Sequence, residues 1–287
     1  MDTFEHRLSF DDIRDDALAC IDRALAEDRA DADITTGAVL TGDESGIFHL
    51  ISKDRGVLAG LDIFRLVFSR IDKDIVFESA HKDGAELTFR ETIATVKGRV
   101  ASLLKGERVA LNFIQHLSGI ASRTAEAVEA VKEYHVKILD TRKTVPGMRR
   151  LQKYAVCVGG GYNHRMTLND MFLIKDNHIR AAGGVREALT RVRKNNPDRK
   201  IIEVELDSIA DVKAALEILP DVVMLDNMDD IALAEAKKLL GRIVKIEVSG
   251  NITMGRLVTL GRLGVDYISI GSLTHSVKAH DFSFKMA

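Results

Sequence analysis

IIEVELDSIADVKAALEILPDVVMLDNMD, residues 201–229, decides the fold class. It opens on a short apolar run, 201–206, that ends in a polar cluster. A helical pattern covers 208–219, and a second apolar run, 222–225, stops at Asp226. Strand, helix, strand in one stretch is the mark of a parallel sheet. The runs are almost continuously apolar, as strands buried on both faces must be. Outward from this stretch the unit recurs as KILDTRKT from Lys137, MFLIKDNH from Met171, VKIEVSGN from Val244 and YISIGSLT from Tyr267. Further helical patterns at 185–194 and 230–240 lie between runs. Polar residues follow the C-terminal end of each run, where βα barrels and open α/β sheets build their active sites.

The N-terminal third reads as mixed α and β. Ser9 caps a helix over 10–29, with Asp11 and Asp12 in the first turn where the helix dipole favours acids. Extended runs fall at 47–53, 74–79 and 91–100, and a second helix at 62–70. A long helical pattern covers 107–133. Arg108 would then stand in a first turn, where a cation is disfavoured, and that conflict hints at function.

Composition narrows the classes. A net charge of −2 over 287 residues argues against a general nucleic-acid or membrane-surface binder. Cys20 and Cys157 stand alone, with no metal-binding or disulfide spacing. No signal peptide or apolar span is expected, so the reading is a cytoplasmic protein in a reducing compartment. The even total hides a local bias. Between Lys137 and Arg180 nine Lys/Arg face three acids, which leaves the rest of the chain at −8. Some of these cations are expected to converge on an anionic ligand.

The candidate groups sit at the run ends. Thr141, Arg142 and Lys143 follow the first run; a planar fork beside a point charge suits a carboxylate and a phosphate, while a salt bridge to Asp140 is the bland reading. Gly159-Gly160-Gly161 leads to His164 and Arg165, either as a plain turn or as a ligand-facing loop. Lys175 is a Schiff-base nucleophile or an anion clamp, and Asn177 and His178 beside it can be structural. Glu203 and Glu205 share one strand face, and Asp226 ends the next run. Carboxylates inside a barrel need a cation, either magnesium held through substrate phosphates or lysines across the barrel. Ser249-Gly250-Asn251 and Gly271-Ser272 leave backbone N–H groups open for a phosphate, or serve as ordinary βα turns.

RVALNFIQHLSGIAS (108–122), DTRKTVPGMRRLQKYAV (140–156), GGGYNHR (159–165), LIKDNHI (173–179), EVE (203–205), LDNM (225–228), EVSGNI (247–252) and DYISIGSLTHS (266–276) together resemble the quinolinate phosphoribosyltransferase family, as does DADITT (31–36). The motifs stand in the family's order. Val145 departs from the Thr common before Pro-Gly, and Cys157, Val158 and Thr167 differ near the glycine run, but no charged position departs. The resemblance implies an α/β fold, with an N-terminal α/β sandwich domain (1–112) and an open-faced, TIM-like βα barrel (113–287) whose last residues return to the first domain. It implies a homodimer with shared active sites, each N-terminal domain covering the partner's barrel mouth, and allows a higher oligomer.

By the same resemblance, the enzyme joins quinolinate to 5-phosphoribosyl 1-pyrophosphate. It releases nicotinate mononucleotide, pyrophosphate and carbon dioxide in de novo NAD biosynthesis. Arg108 would reach the partner's site. Thr141, Arg142, Lys143, His164, Arg165 and Lys175 would line the quinolinate and pyrophosphate pocket. Glu205 and Asp226 match acidic positions near the ribose and magnesium. Ser249, Gly250 and Asn251, with Ile270, Gly271 and Ser272, match the 5′-phosphate segments. Magnesium enters with the pyrophosphate, with no organic cofactor. Lys143, Lys175, Glu205 and Asp226 are the catalytic candidates. Rival readings are the related phosphoribosyltransferase of molybdenum-uptake operons, a Schiff-base aldolase on Lys143 or Lys175, and a non-catalytic phosphosugar-binding barrel.

Overall fold

Two compact units interleave along the chain in the computed structural model, which describes residues 3–5 and 7–287. A sandwich unit gathers Arg7–Ala125, Thr144–Gly160 and Ser272–Ala287. A barrel unit gathers Glu126–Lys143, Gly161–Gly271 and the segment that carries Phe4. No described helix is long and apolar enough to cross a membrane.

In the sandwich unit, α1 (Phe10–Glu27) starts where the sequence puts it. Ser9 Oγ accepts from the Asp12 N–H, and the Asp12 carboxylate accepts from the Ser9 N–H at 2.8 Å, a reciprocal cap. Then follow α2 (Ile34–Val39), β1 (Ser45–Ser52), β2 (Gly56–Val57), α3 (Leu61–Ile71), β3 (Val76–Glu78), β4 (Glu86–Leu87), β5 (Thr92–Arg99) and α4 (Val100–Ala130). β1 and β5 pair antiparallel, with β3 on the far side of β5. Phe48, Phe64, Phe68 and Phe284 meet beneath the sheet with ring centroids 5.0–5.7 Å apart.

The long helix corrects the sequence reading. It begins at Val100, straight out of β5, rather than at 107. Gly106 interrupts the helical pattern in the sequence, yet here its missing side chain lets α3 approach. A Cβ at Gly106 would stand 2.9 Å from Phe68 and Ile71. Arg108 therefore lies well inside α4, and its expected conflict with the helix dipole vanishes.

The barrel unit supplies the parallel sheet. Its strands are β6 (Lys137–Leu139), β7 (Phe172–Ile174), β8 (Ile202–Leu206), β9 (Val222–Asp226), β10 (Lys245–Ser249) and β11 (Tyr267–Ser269). All six match the apolar runs. The helix α5 (Arg149–Val158) between β6 and β7 belongs to the sandwich unit. Helices α6 (Asp176–Ala182), α7 (Val185–Lys194), α8 (Ile209–Leu216), α9 (Asp230–Leu240) and α10 (Met254–Leu263) carry the remaining crossovers. The order is β6-β11-β10-β9-β8-β7, so the sheet stays open between its two end strands. Tyr162 makes an isolated parallel bridge to Leu139 and brings the next segment alongside β6. After α11 (Ser272–His275), β12 (Phe282–Met286) returns to pair with β1, Phe48 opposite Met286.

The barrel floor is closed by Phe4, Leu139, Met171, Val222 and Tyr267. Phe4 is 5% exposed and meets Tyr267 edge-on at 5.0 Å. A buried phenylalanine leaves a cavity when truncated, so Phe4→Ala is expected to lower unfolding free energy by about 3 kcal/mol. A urea unfolding curve that superimposes on the wild-type curve would show that Phe4 is no part of the barrel core.

Candidate active site

The functional candidates gather at the C-terminal ends of the barrel strands. Thr141, Arg142 and Lys143 follow β6, Lys175 follows β7, Glu205 stands near the end of β8, and Asp226, Ser249 and Ser269 end β9, β10 and β11. Together with His164, Arg165, Leu173 and Met224 they line one cleft. The strand period of two explains the choice. Glu205, Met224–Asp226 alternates and Ser249 all face inward, with the next inward positions, Glu203, Val222 and Glu247, one layer deeper.

Each side chain is held by its own strand end. Asp140, fully buried, accepts from Asn163 Nδ2 at 2.6 Å and from the His164 N–H at 3.0 Å, which fixes the segment that carries Arg165. Arg165 Nη1 donates to the Met171 carbonyl at 3.3 Å. Burial and the neighbouring Arg142 both weaken the hold of Arg165 on its proton. Arg142 Nε is itself buried without a hydrogen-bond partner among the described residues. Two guanidinium groups so arranged suit a ligand with more than one carboxylate. Across the cleft Lys175 pairs with Glu205. His178 is structural: its Nδ1 accepts the Lys175 N–H at 3.0 Å and starts α6.

The loops after β9 and β10 interlock. Asn227 Nδ2 donates to Asp226 Oδ2 at 2.7 Å, and Asn251 Nδ2 donates to Asn227 Oδ1 at 3.0 Å. Asn227, Gly250 and Asn251 all have left-handed backbones, at φ 55°, 84° and 50°. A Cβ on Gly250 would strike Asn227 Oδ1 and stand 2.8 Å from Asp226 Oδ1. Other expected positions fall differently. The Ile270 N–H is used by the Leu139 carbonyl at 3.0 Å, and Gly271 follows it. Ser272 opens α11 in the sandwich unit. Arg108 is also in that unit, exposed on α4, beside a cavity it shares with Glu27, Asn112 and His116. The glycine run is mainly a helix exit: Gly159 caps α5, and a side chain there would strike the Ala121 carbonyl of α4.

Sequence reasoning missed Glu247 and the depth of His164. His164 Nε2 lies 3.0 Å from Glu203 Oε2 and 3.5 Å from Glu247 Oε2, with both carboxylates fully buried. Counting back by two from Ser249 would have flagged Glu247 as an inward acid. Burial opposes an imidazolium at His164, but Glu203 and Glu247 outweigh it and push the ring up to about 10. Burial and Glu247 push Glu203 upward as well. The Arg165 N–H lies 2.7 Å from His164 Nδ1, on the side of the ring away from the two acids.

A family model described as quinolinate phosphoribosyl transferase, C-terminal domain, matches residues 120–285, and its N-terminal partner matches residues 33–118. The chain belongs to the quinolinate phosphoribosyl transferase family. It is 38% identical to the nicotinate-nucleotide pyrophosphorylase (carboxylating) of Mycobacterium leprae, over 95% of this chain and 98% of that protein. It is 40% identical to quinolinate phosphoribosyltransferase (decarboxylating) 1b of Nicotiana tabacum, over 94% of this chain and 82% of that protein. The crystal structure of NadC from Streptococcus pyogenes superposes with a TM-score of 0.90 at 43% identity, covering 98% of each chain. Membership in the quinolinate phosphoribosyl transferase family fits the cation-rich barrel mouth. Gly250→Ala is expected to weaken binding of 5-phosphoribosyl 1-pyrophosphate, read by calorimetry, about tenfold or more through strain at a left-handed position. Unaltered affinity would remove this loop from the binding site.

Proposed function

We propose that the protein transfers the phosphoribosyl group of 5-phosphoribosyl 1-pyrophosphate to quinolinate, with loss of carbon dioxide, as a cytoplasmic homodimer. The observation that carries this reading is the convergence of Arg142 and Arg165 in one cleft with Lys143 and Lys175. Both reactants are polyanions, and bringing them together in water is opposed by repulsion. Fixed cations in a partly dry cleft remove that barrier without reorganising.

In this reading Arg142 and Arg165 take the two carboxylates of quinolinate, Lys143 and Lys175 take the pyrophosphate, and Ser249, Gly250 and Asn251 take the 5′-phosphate. Glu205 and Asp226 offer hard oxygen donors on adjacent strands, which fits magnesium held jointly with substrate phosphates. Magnesium, when bound, neutralises the pyrophosphate and eases its departure. Without ligand, Lys175 and Glu205 neutralise each other. An arriving pyrophosphate draws Lys175 away and leaves Glu205 to face the ribose. The C1–oxygen bond breaks, its electron pair leaves with pyrophosphate, and positive charge develops on the ribose, where Glu205 or Asp226 stabilises it. The pyridine nitrogen then bonds to C1. Its positive charge draws electrons as the bond to the 2-carboxylate breaks, carbon dioxide departs, and a proton replaces it at C2. Arg108 extends toward the site of a second copy.

The direct test mixes protein, quinolinate, 5-phosphoribosyl 1-pyrophosphate and magnesium, and looks for nicotinate mononucleotide with carbon dioxide. Absence of both products rejects the reading. Arg142→Ala and Arg165→Ala are each expected to lower kcat/KM by about a hundredfold or more, as loss of a preorganised charge does. For the shared site, Arg108→Ala and Lys175→Ala proteins should each be inactive yet regain activity when mixed. Failure to regain it after demonstrated subunit exchange would reject sharing.

A further inference from the structure

The inward face of β11 carries Tyr267 and then Ser269. Tyr267 points to the barrel floor, where its ring meets Phe4 edge-on at 5.0 Å. Ser269 stands above it and lines the cleft. It is 2% exposed, and among the described residues its Oγ has no hydrogen-bond partner. A hydroxyl withdrawn from water without a partner costs stability, and a plain methyl group in its place does not. The proposed reaction, as derived above, gives this hydroxyl no task.

Its neighbours say what it faces. β11 lies between β6 and β10. On one side the Cα partner of Ser269 is Leu139, the strand residue that leads through Asp140 to Thr141 and Arg142. On the other side Ser249 ends β10 and leads to Gly250 and Asn251. Ser269 thus stands between the part of the cleft assigned to the pyridine and the part assigned to the 5′-phosphate. Depth decides between them. Asn251 is exposed on its loop, whereas Ser269 is on the strand itself and closed off from solvent. Leu173 and Met224 line the same cleft and offer apolar contact to a flat ring. Arg142 Nε, also buried, likewise has no acceptor among the described residues. Two such donors in one cleft call for an anion that enters with a ring behind it, and a carboxylate can accept from several donors at once. Arg142 already loosens the hold of Arg165 on its proton. A hydroxyl adds a donor there without adding a third positive charge.

We propose that Ser269 is a further quinolinate-binding residue, whose hydroxyl donates a hydrogen bond to a carboxylate of the bound pyridine beside Arg142. The assignment rests on the proposed reading of the cleft. It adds a neutral donor to the paired guanidinium groups, on the strand that separates them from the phosphate loops.

Ser269→Ala removes the donor, and Ser269→Cys keeps a side chain of similar shape but offers only a weak one. Both are expected to raise the KM for quinolinate about tenfold or more, as loss of a hydrogen bond to a charged group does, and to change the KM for 5-phosphoribosyl 1-pyrophosphate by no more than about twofold. The thermal midpoint of Ser269→Ala, measured without ligand, is expected not to fall, because the free protein loses no bond. A lowered midpoint would show that the hydroxyl already has a partner inside the protein, and would overturn the proposal. So would an unchanged quinolinate KM in both variants. A rise confined to the KM for 5-phosphoribosyl 1-pyrophosphate would assign the hydroxyl to the phosphate instead, and a wild-type KM in Ser269→Cys would make volume the cause; either result overturns it too. The wild-type protein tests the underlying reading separately. If it forms no nicotinate mononucleotide from the two substrates, that reading fails. If it does, and both variants match it, the assignment of Ser269 alone fails.

Discussion

Two like-charged guanidinium groups held beside each other in a partly buried cleft are the constraint on which the site depends. Burial loosens the hold of Arg165 on its proton, and Arg142 loosens it further. Neither effect favours the folded protein alone, so the surrounding chain must hold the pair in place. Asp140 anchors the segment through Asn163 and His164, and the Met171 carbonyl takes one arm of Arg165. Opposed dipoles and charges fixed before the ligand arrives are what an electrostatic catalyst requires.

Strand periodicity sorts the acids by depth. Glu205 and Asp226, at the mouth, can meet a ribose or a cation. Glu203 and Glu247, one layer lower, can meet only protein. The same residue type thus serves two purposes two positions apart. The interlocked Asp226, Asn227, Gly250 and Asn251 show the same economy, since left-handed backbones at three of these positions turn the side chains onto one another.

Much of this was legible in the sequence. All six barrel strands follow from apolar runs that end in polar clusters, because strands buried on both faces leave little room for anything else. The Ser9 cap was legible because its chemistry is local. The start of α4 was not, because the role of Gly106 depends on Phe68 and Ile71, which reach it only through tertiary packing. Nor could the sequence tell that Ser272 and Arg108 belong to a different compact unit from Arg142, since interleaved units leave no mark on composition. Glu247 escaped notice as one acid within an apolar strand, and its meaning appears only when His164 arrives from a segment more than eighty residues earlier.

The central claim is that paired guanidinium groups select a ligand with two carboxylates. Calorimetric titration of the protein with quinolinate and with nicotinate, which lacks the 2-carboxylate, tests it most directly. The account predicts that quinolinate binds tighter by about a hundredfold or more, since a site built for a charged group rejects an analogue without it. Equal affinity for the two pyridines would contradict it.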